Sequence, residues 1–243
     1  MGSGFNAEEE ELFYQTGEAL HKRLRRTRNP ADLLATVRLA YEGFDRAYAS
    51  APAEARTAVA CRSGCAACCH ERVGVQAHEV LIAANHIQRH FTPVELDEVI
   101  ARAAIHRAAL AERDRPGWPP PRTPCVLLRA GACSIYEARP ESCRAHHSHD
   151  AAACQTNLEQ GNEAIDVKIP GLRGRMYAVM LGMDQAIEEA GFDDRSYDFG
   201  TALHEALTDS RCAIRWTQRQ PAFSDSCLET PEWPETDSPK DGM

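Results

Sequence analysis

Seven of the ten cysteines in this 243-residue chain fall into two compact clusters, Cys61-x3-Cys65-x2-Cys68-Cys69 and Cys125-x7-Cys133-x9-Cys143. Thiols crowded this way restrict the fold more than any other feature, because the chain must bring the two clusters to whatever they share. In a reducing compartment a disulfide framework does not persist, so a dense cluster there reads as metal binding or redox chemistry. Cys65-x2-Cys68 has the spacing of a metal knuckle: two intervening residues let both sulfurs turn onto one ion while nearby backbone N–H groups donate to them. Adjacent side chains such as Cys68 and Cys69 are expected to diverge, which favours two metal centres or one multinuclear cluster over a single ion.

Seven thiolates exceed the four ligands of a structural zinc or of an ordinary iron–sulfur cluster. An eighth ligand would complete two four-ligand sites; Cys154 leads, with His146, His147 and His149 behind it. The expected metal set is therefore Cys61, Cys65, Cys68, Cys69, Cys125, Cys133, Cys143 and Cys154, holding zinc or iron, with an iron–sulfur cluster as an alternative. The segment from Cys143 to Cys154 also offers His146, His149 and Asp150 as a nitrogen–oxygen site with open positions, which would be catalytic; the plainer reading makes them, and His70 likewise, surface or supporting groups. Arg62, Arg72, Arg129, Arg139 and Arg144 flank the clusters and are candidates to offset thiolate charge. Cys212 and Cys227 stand apart and read as ordinary thiols.

A formal charge of −9 and a pI near 5.6 oppose broad attraction to phosphate backbones, so nucleic acid is not an expected partner. The basic run from His21 to Arg28 reads as a solvated helix end. No apolar stretch approaches the roughly 20 residues needed to cross a bilayer, and the N-terminal residues are acidic where a signal peptide needs a basic start. The expectation is a cytoplasmic chain with no membrane association, whose partner is a metal ion, with a protein partner or substrate besides.

The fold class expected is mainly α: a helical core with an inserted cysteine-rich metal-binding subdomain containing a small β-hairpin. Residues 1–220 are expected to form one domain with the metal region at about 58–155, and 221–243 a disordered acidic tail. Helices are predicted over 7–28 and from Pro30 to the Ser50-Ala51-Pro52 break, as an antiparallel pair, and from Ala77 to Phe91. Thr92, Pro93 and Glu95 supply an N-cap, a first-position proline and a capping box for a helix running to about Arg113. The proline-rich stretch from Arg115 to Arg122 reads as an extended connector. A hairpin is predicted around Arg129-Ala-Gly131. Leu172, Met176, Val179, Met180, Met183 and Ile187 mark a helix from Pro170 to Gly191, its methionines being core. A last helix is predicted from Phe199 to Gln218, packing Leu203, Leu207, Ile214 and Trp216.

The runs Cys61-x3-Cys65-x2-Cys68-Cys69, Pro124-Cys125-Val-Leu-Leu, Cys133-Ser-Ile-Tyr136 and Arg139-Pro-x2-Cys143-Arg144 resemble the YkgJ-type cysteine-cluster family, a zinc- or iron-chelating domain. The resemblance covers about residues 58–155 and extends loosely to Arg215-Trp216. One branch continues with a Ser-x-Asp-x3-Cys element, echoed by Ser148, Asp150 and Cys154, which strengthens Cys154 as a ligand. The resemblance implies metal chelation by the clustered cysteines, with a related cluster in a flagellin lysine methylase; no glycine-rich cofactor loop accompanies it here. The Cys-x3-Cys-x2-Cys run also matches the radical-SAM signature, but the strand–helix repetition of that fold is missing. The leading expectation is a metal-binding protein, and the alternative an iron or iron–sulfur enzyme that modifies a protein or small molecule.

Overall fold

The structure, a computed structural model, describes residues 4–113, 122–161 and 163–224. The first helix, α1, spans Ala7–Leu24. Asn6 caps it by accepting from the Glu8 and Glu9 amides, while the Glu9 carboxylate accepts from the Asn6 amide in return. Acidic residues fill its first turn and His21, Lys22 and Arg23 its last, both complementing the helix dipole. Helix α2, Pro30–Ser50, starts where expected, with the Asn29 side chain accepting from the Asp32 amide.

Helix α8, Pro170–Glu189, runs through the middle of the core and is the main partner of α1, which also packs, less extensively, on α2 as expected from sequence. Small residues explain the choice. A methyl group on Gly182 would lie 2.5 Å from the Phe13 carbonyl oxygen, and one on Gly17 would lie 3.1 Å from that of Gly182, so the two backbones meet where a side chain would fit neither. Leu33, Val37 and Phe44 of α2 and Met176, Val179 and Met183 of α8 are buried in the same core, each contributing about 1.5–3 kcal/mol of apolar transfer.

The rest of the core is built by α4 (Ala77–His90), α5 (Pro93–Arg113) and α9 (Phe199–Thr208), with α9 packed on both others. The predicted capping box of α5 is formed: the Thr92 amide and hydroxyl both donate to Glu95, 2.9 Å each, and the Glu95 amide donates back. Between the halves lie the short helix α3, Ala53–Thr57, and a 3₁₀ turn, Ala67–His70. Strand β1, Gly74–Val75, pairs antiparallel with β4, Tyr197–Asp198, tying the chain just after the first cysteine cluster to the C-terminal helices. The predicted hairpin is present as β2, Leu128–Arg129, and β3, Ala132–Cys133, turning through Ala130 and Gly131, which both have positive φ. Two helices not foreseen follow, α6 (Glu141–Ala145) and α7 (Ala151–Gln160).

The single helix expected from Phe199 to Gln218 is two. Asp209 is extended, and its carboxylate takes the Arg211 amide and the Arg215 guanidinium, ending α9 and starting α10, Cys212–Thr217. Ile214, expected in the core, is 48% exposed, whereas Trp216 is buried. The predicted α1 ends four residues early, at Leu24, leaving Arg25–Arg28 outside the helix. Ala222 and Phe223 are fully buried, with the Ala222 amide donating to Asp193 at 2.7 Å. Ala222 and Phe223, at the start of the expected tail, therefore belong to the core; residues 225–243 lie outside the described residues, as does most of the proline-rich connector. Among the described residues no helix is long and apolar enough to cross a membrane.

Asp198 is the polar pin of the β1–β4 join. It caps α9 through the Thr201 amide and hydroxyl, 2.9 Å each, and meets His106 at 2.9 Å and Arg72 at 3.3 Å. Burial alone would raise its carboxyl, but the His106 and Thr201 bonds hold it below the usual carboxylate range. A depressed native pKa stabilises the fold above the ordinary carboxylate range, and that stability is lost as pH falls through the native value. Asp198→Ala should therefore cost about 2–4 kcal/mol at neutral pH, with the difference from wild type shrinking at pH 3, as read by urea unfolding.

Candidate metal centre

Each cysteine is positioned by a different local device. Cys61 and Cys65 lie on the loop before the 3₁₀ turn, where the Cys65 amide closes a turn onto the Arg62 carbonyl at 3.0 Å and Gly64 takes positive φ. Cys68 and Cys69 sit in the 3₁₀ turn itself. The Cys125 amide donates to the Cys69 carbonyl at 2.7 Å, joining the two clusters directly, and buried Val126 and Leu127 anchor the segment that follows. Cys133 ends β3, Cys143 lies in α6, and Cys154 in α7, which packs on the 3₁₀ turn.

Ser148 joins these pieces. Its carbonyl accepts from the Ala60 amide at 2.8 Å, its amide donates to the Cys61 sulfur at 3.3 Å, and its hydroxyl accepts from the Cys154 thiol at 3.1 Å. An amide directed at sulfur is the donor that a metal-bound thiolate requires. The Ser-x-Asp-x3-Cys run thus works as a unit: Ser148 gathers Cys61 and Cys154, and Asp150 caps α7 by accepting from the Ala152 and Ala153 amides.

The electrostatics sort the sulfurs. Burial raises the Cys61 thiol, the Ser148 amide opposes it, and charge on Cys65, Cys68 or Cys154 would raise it further. Cys154 is raised by burial and by Cys65 and Cys68. Burial pushes Cys125 up to about 11, with Cys133 adding to it. Cys143 is raised by burial, then by Cys125, Cys68 and Cys133. Two groups emerge, Cys61, Cys65 and Cys154 against Cys125, Cys133 and Cys143, and Cys68 is a neighbour of both. Cys68 is itself raised first by a hydrogen bond with the Cys69 thiol. Both residues lie in the 3₁₀ turn.

All nine cysteines among the described residues are free thiols. As they stand, no three His, Cys, Asp or Glu side chains among those residues converge closely enough to grip an ion. The fit to a metal is one of chemistry and neighbourhood: eight soft sulfur donors share one region, and their mutual charge is what a bound cation would neutralise.

The nitrogen and oxygen candidates take other roles. Asp150 is a helix cap, His149 is exposed, and His70 Nδ1 lies 3.1 Å from the Ala66 carbonyl. His147 stacks near the Tyr48 ring, 5.4 Å between centroids, and burial holds it and His146 below the usual histidine range. Of the flanking arginines, Arg72 serves Asp198 and Arg129 serves Glu95. Arg139 is the one whose charge favours thiolate at Cys68 and Cys133. Sequence reasoning missed Arg102 of α5, which lowers Cys125 and donates to the Leu128 carbonyl at 3.2 Å.

It also missed the support beneath the centre. Glu79 on α4 accepts from the amides of Gln76, 2.6 Å, and Glu141, 2.7 Å, pinning the first residue of α6 and so the position of Cys143. Buried His78 meets Glu141 at 2.6 Å. Burial pushes both glutamates up to about 8 and holds His78 down, so burial disfavours charge on every member of this hydrogen-bonded cluster. The signal in the sequence was weak: a His-Glu step at the start of a helix reads equally as its wet face.

No curated protein and no solved structure matches the chain. Residues 60–164 match the family model CxxCxxCC, described as "Putative zinc- or iron-chelating domain". That span contains all eight clustered cysteines, the hairpin, α6 and α7. Over residues 60–164, a little under half of its length, this chain is similar to the CxxCxxCC family.

Proposed function

We propose that the domain holds two zinc or iron ions in one joined, all-thiolate centre. Cys61, Cys65 and Cys154 serve one ion, Cys125, Cys133 and Cys143 the other, and Cys68 and Cys69 supply the fourth sulfur of each. The observation that supports this reading is the position of Cys68, in the 3₁₀ turn that the Cys125 amide joins to the second cluster, an electrostatic neighbour to both groups. Four thiolates close each coordination sphere, which is the mark of a structural site, not an open catalytic one. The ions would fasten the 3₁₀ turn, hairpin, α6 and α7 to one another, in a reducing compartment such as the cytoplasm, where thiols persist.

Elemental analysis of protein purified without oxygen, with acid-labile sulfide measured alongside, tests the proposal. The expected result is two metal ions per chain and no sulfide. Iron with stoichiometric sulfide would replace it with an iron–sulfur cluster, and one ion per chain would end the two-site arrangement.

A further inference from the structure

Beside the cysteine centre the surface opens into a cleft of about 710 Å³, within the range of small-molecule sites. Four arginines line it: Arg38 from α2, Arg89 from α4, and Arg139 and Arg144 from either side of the start of α6. In a chain with nine more carboxylates than cations, none of these four has a carboxylate within ion-pair distance among the described residues. Arg139 and Arg144 spend part of their donor capacity on carbonyls, those of Tyr136 at 3.1 Å and Arg139 at 3.2 Å. Both guanidiniums lie over tyrosine rings, Arg139 at 3.8 Å from the Tyr136 centroid and Arg144 at 4.8 Å from that of Tyr41. Three acids share the lining, but Glu42 is met by Arg46 at 3.6 Å, which leaves four guanidiniums against Asp45 and Glu137. The Tyr41 hydroxyl is buried without a partner among the described residues. Phe44, Ile82 and Met176 give the cleft apolar surface, and Cys61 and His147 border it on the side of the centre.

We propose that this cleft binds a small organic dianion, a phosphate ester on a planar or apolar body, with the arginines taking the charged head and the tyrosine and aliphatic surface the body. Planar guanidiniums match phosphate oxygens through paired N–H donors. Stacking on the tyrosines fixes two of those planes before the ligand arrives, which lowers the ordering cost of binding. The site goes beyond the metal reading and stands without it, since no arginine named here is a metal ligand.

Isothermal titration of the full, metal-loaded chain with phenyl phosphate, and with phenol as the uncharged control, tests the proposal. Arg38 and Arg89 are exposed and make no hydrogen bond the fold relies on, so an Arg38→Gln/Arg89→Gln double variant should fold and keep its metal. The expected result is sub-millimolar binding of phenyl phosphate, none of phenol, and at least a tenfold loss of affinity in the double variant at unchanged metal content. Absence of phenyl phosphate binding, or equal affinity in the double variant, would overturn the assignment. So would binding that vanishes on metal removal while ignoring the arginines, because the anion would then be sitting on the ion. Metal content is read independently in each case, so failure of the cleft and failure of the metal centre are distinguishable.

Discussion

Cys143→Ser should empty its half of the metal centre and lower the unfolding temperature part of the way to that of chelator-stripped wild-type protein. Cys143 is held in α6, within electrostatic reach of Cys125, Cys68 and Cys133. A serine there is a poor donor for zinc or iron and cannot replace the thiolate. Binding to the native state alone stabilises it by RT ln(1 + [L]/Kd), about 4 kcal/mol when free metal is a thousandfold above Kd. For a chain of this size that corresponds to roughly 8–16 °C. Cys212→Ser is the control: that thiol is buried far from the clusters, accepts from Arg215 at 3.2 Å, and should leave the metal content untouched. Differential scanning calorimetry with metal analysis on the same samples reads both effects. A Cys143→Ser protein with its full metal complement would remove this residue from the ligand set.

The second large effect is expected at a residue that touches no metal. Glu79→Ala should lose about 2–5 kcal/mol, since it strands the buried amides of Gln76 and Glu141 and each orphaned donor costs about 1–3 kcal/mol. It should also speed metal release, measured by transfer to a chromogenic chelator, because the start of α6 is no longer held against α4 and Cys143 sits two residues further on. Glu79→Gln keeps one carbonyl acceptor and should recover about half of the stability. If Glu79→Ala released metal at the wild-type rate, α6 would owe its position to something other than this carboxylate.

The elements most legible in the sequence were those with a local chemical boundary. Asn29-Pro30 and Thr92-Pro93-x-Glu95 start helices because their side chains satisfy free amides whatever the rest of the chain does. The hairpin followed from an Ala130-Gly131 turn that needs positive φ. What stayed hidden depends on partners distant in sequence. The α1–α8 contact rests on two glycines that carry no hydrophobic signal. The break at Asp209 depends on Arg215 folding back onto it. Glu79, Glu141 and His78 are polar residues in the core, and periodicity assigns such residues to solvent.

The stitch at Ser148 has a kinetic side. Cys61 and Ser148 stand 87 residues apart and share a hydrogen bond, and the Ala60 amide and a bridge to Lys168 close the same point with backbone alone. Closing a loop of that length costs about 4 kcal/mol in chain entropy. Here the helical frame and its backbone bonds supply that closure, whereas a small zinc finger must draw it from the ion and is unfolded without it. An arriving ion finds the cysteine-bearing loops already gathered, with only local side-chain closure left to bring ligands together, so on the proposed reading capture needs no folding reaction. If the cysteines hold metal as proposed, the centre should fill, empty and refill while the chain stays folded, with loading rates set by ion supply and thiol deprotonation and not by the time the protein takes to fold.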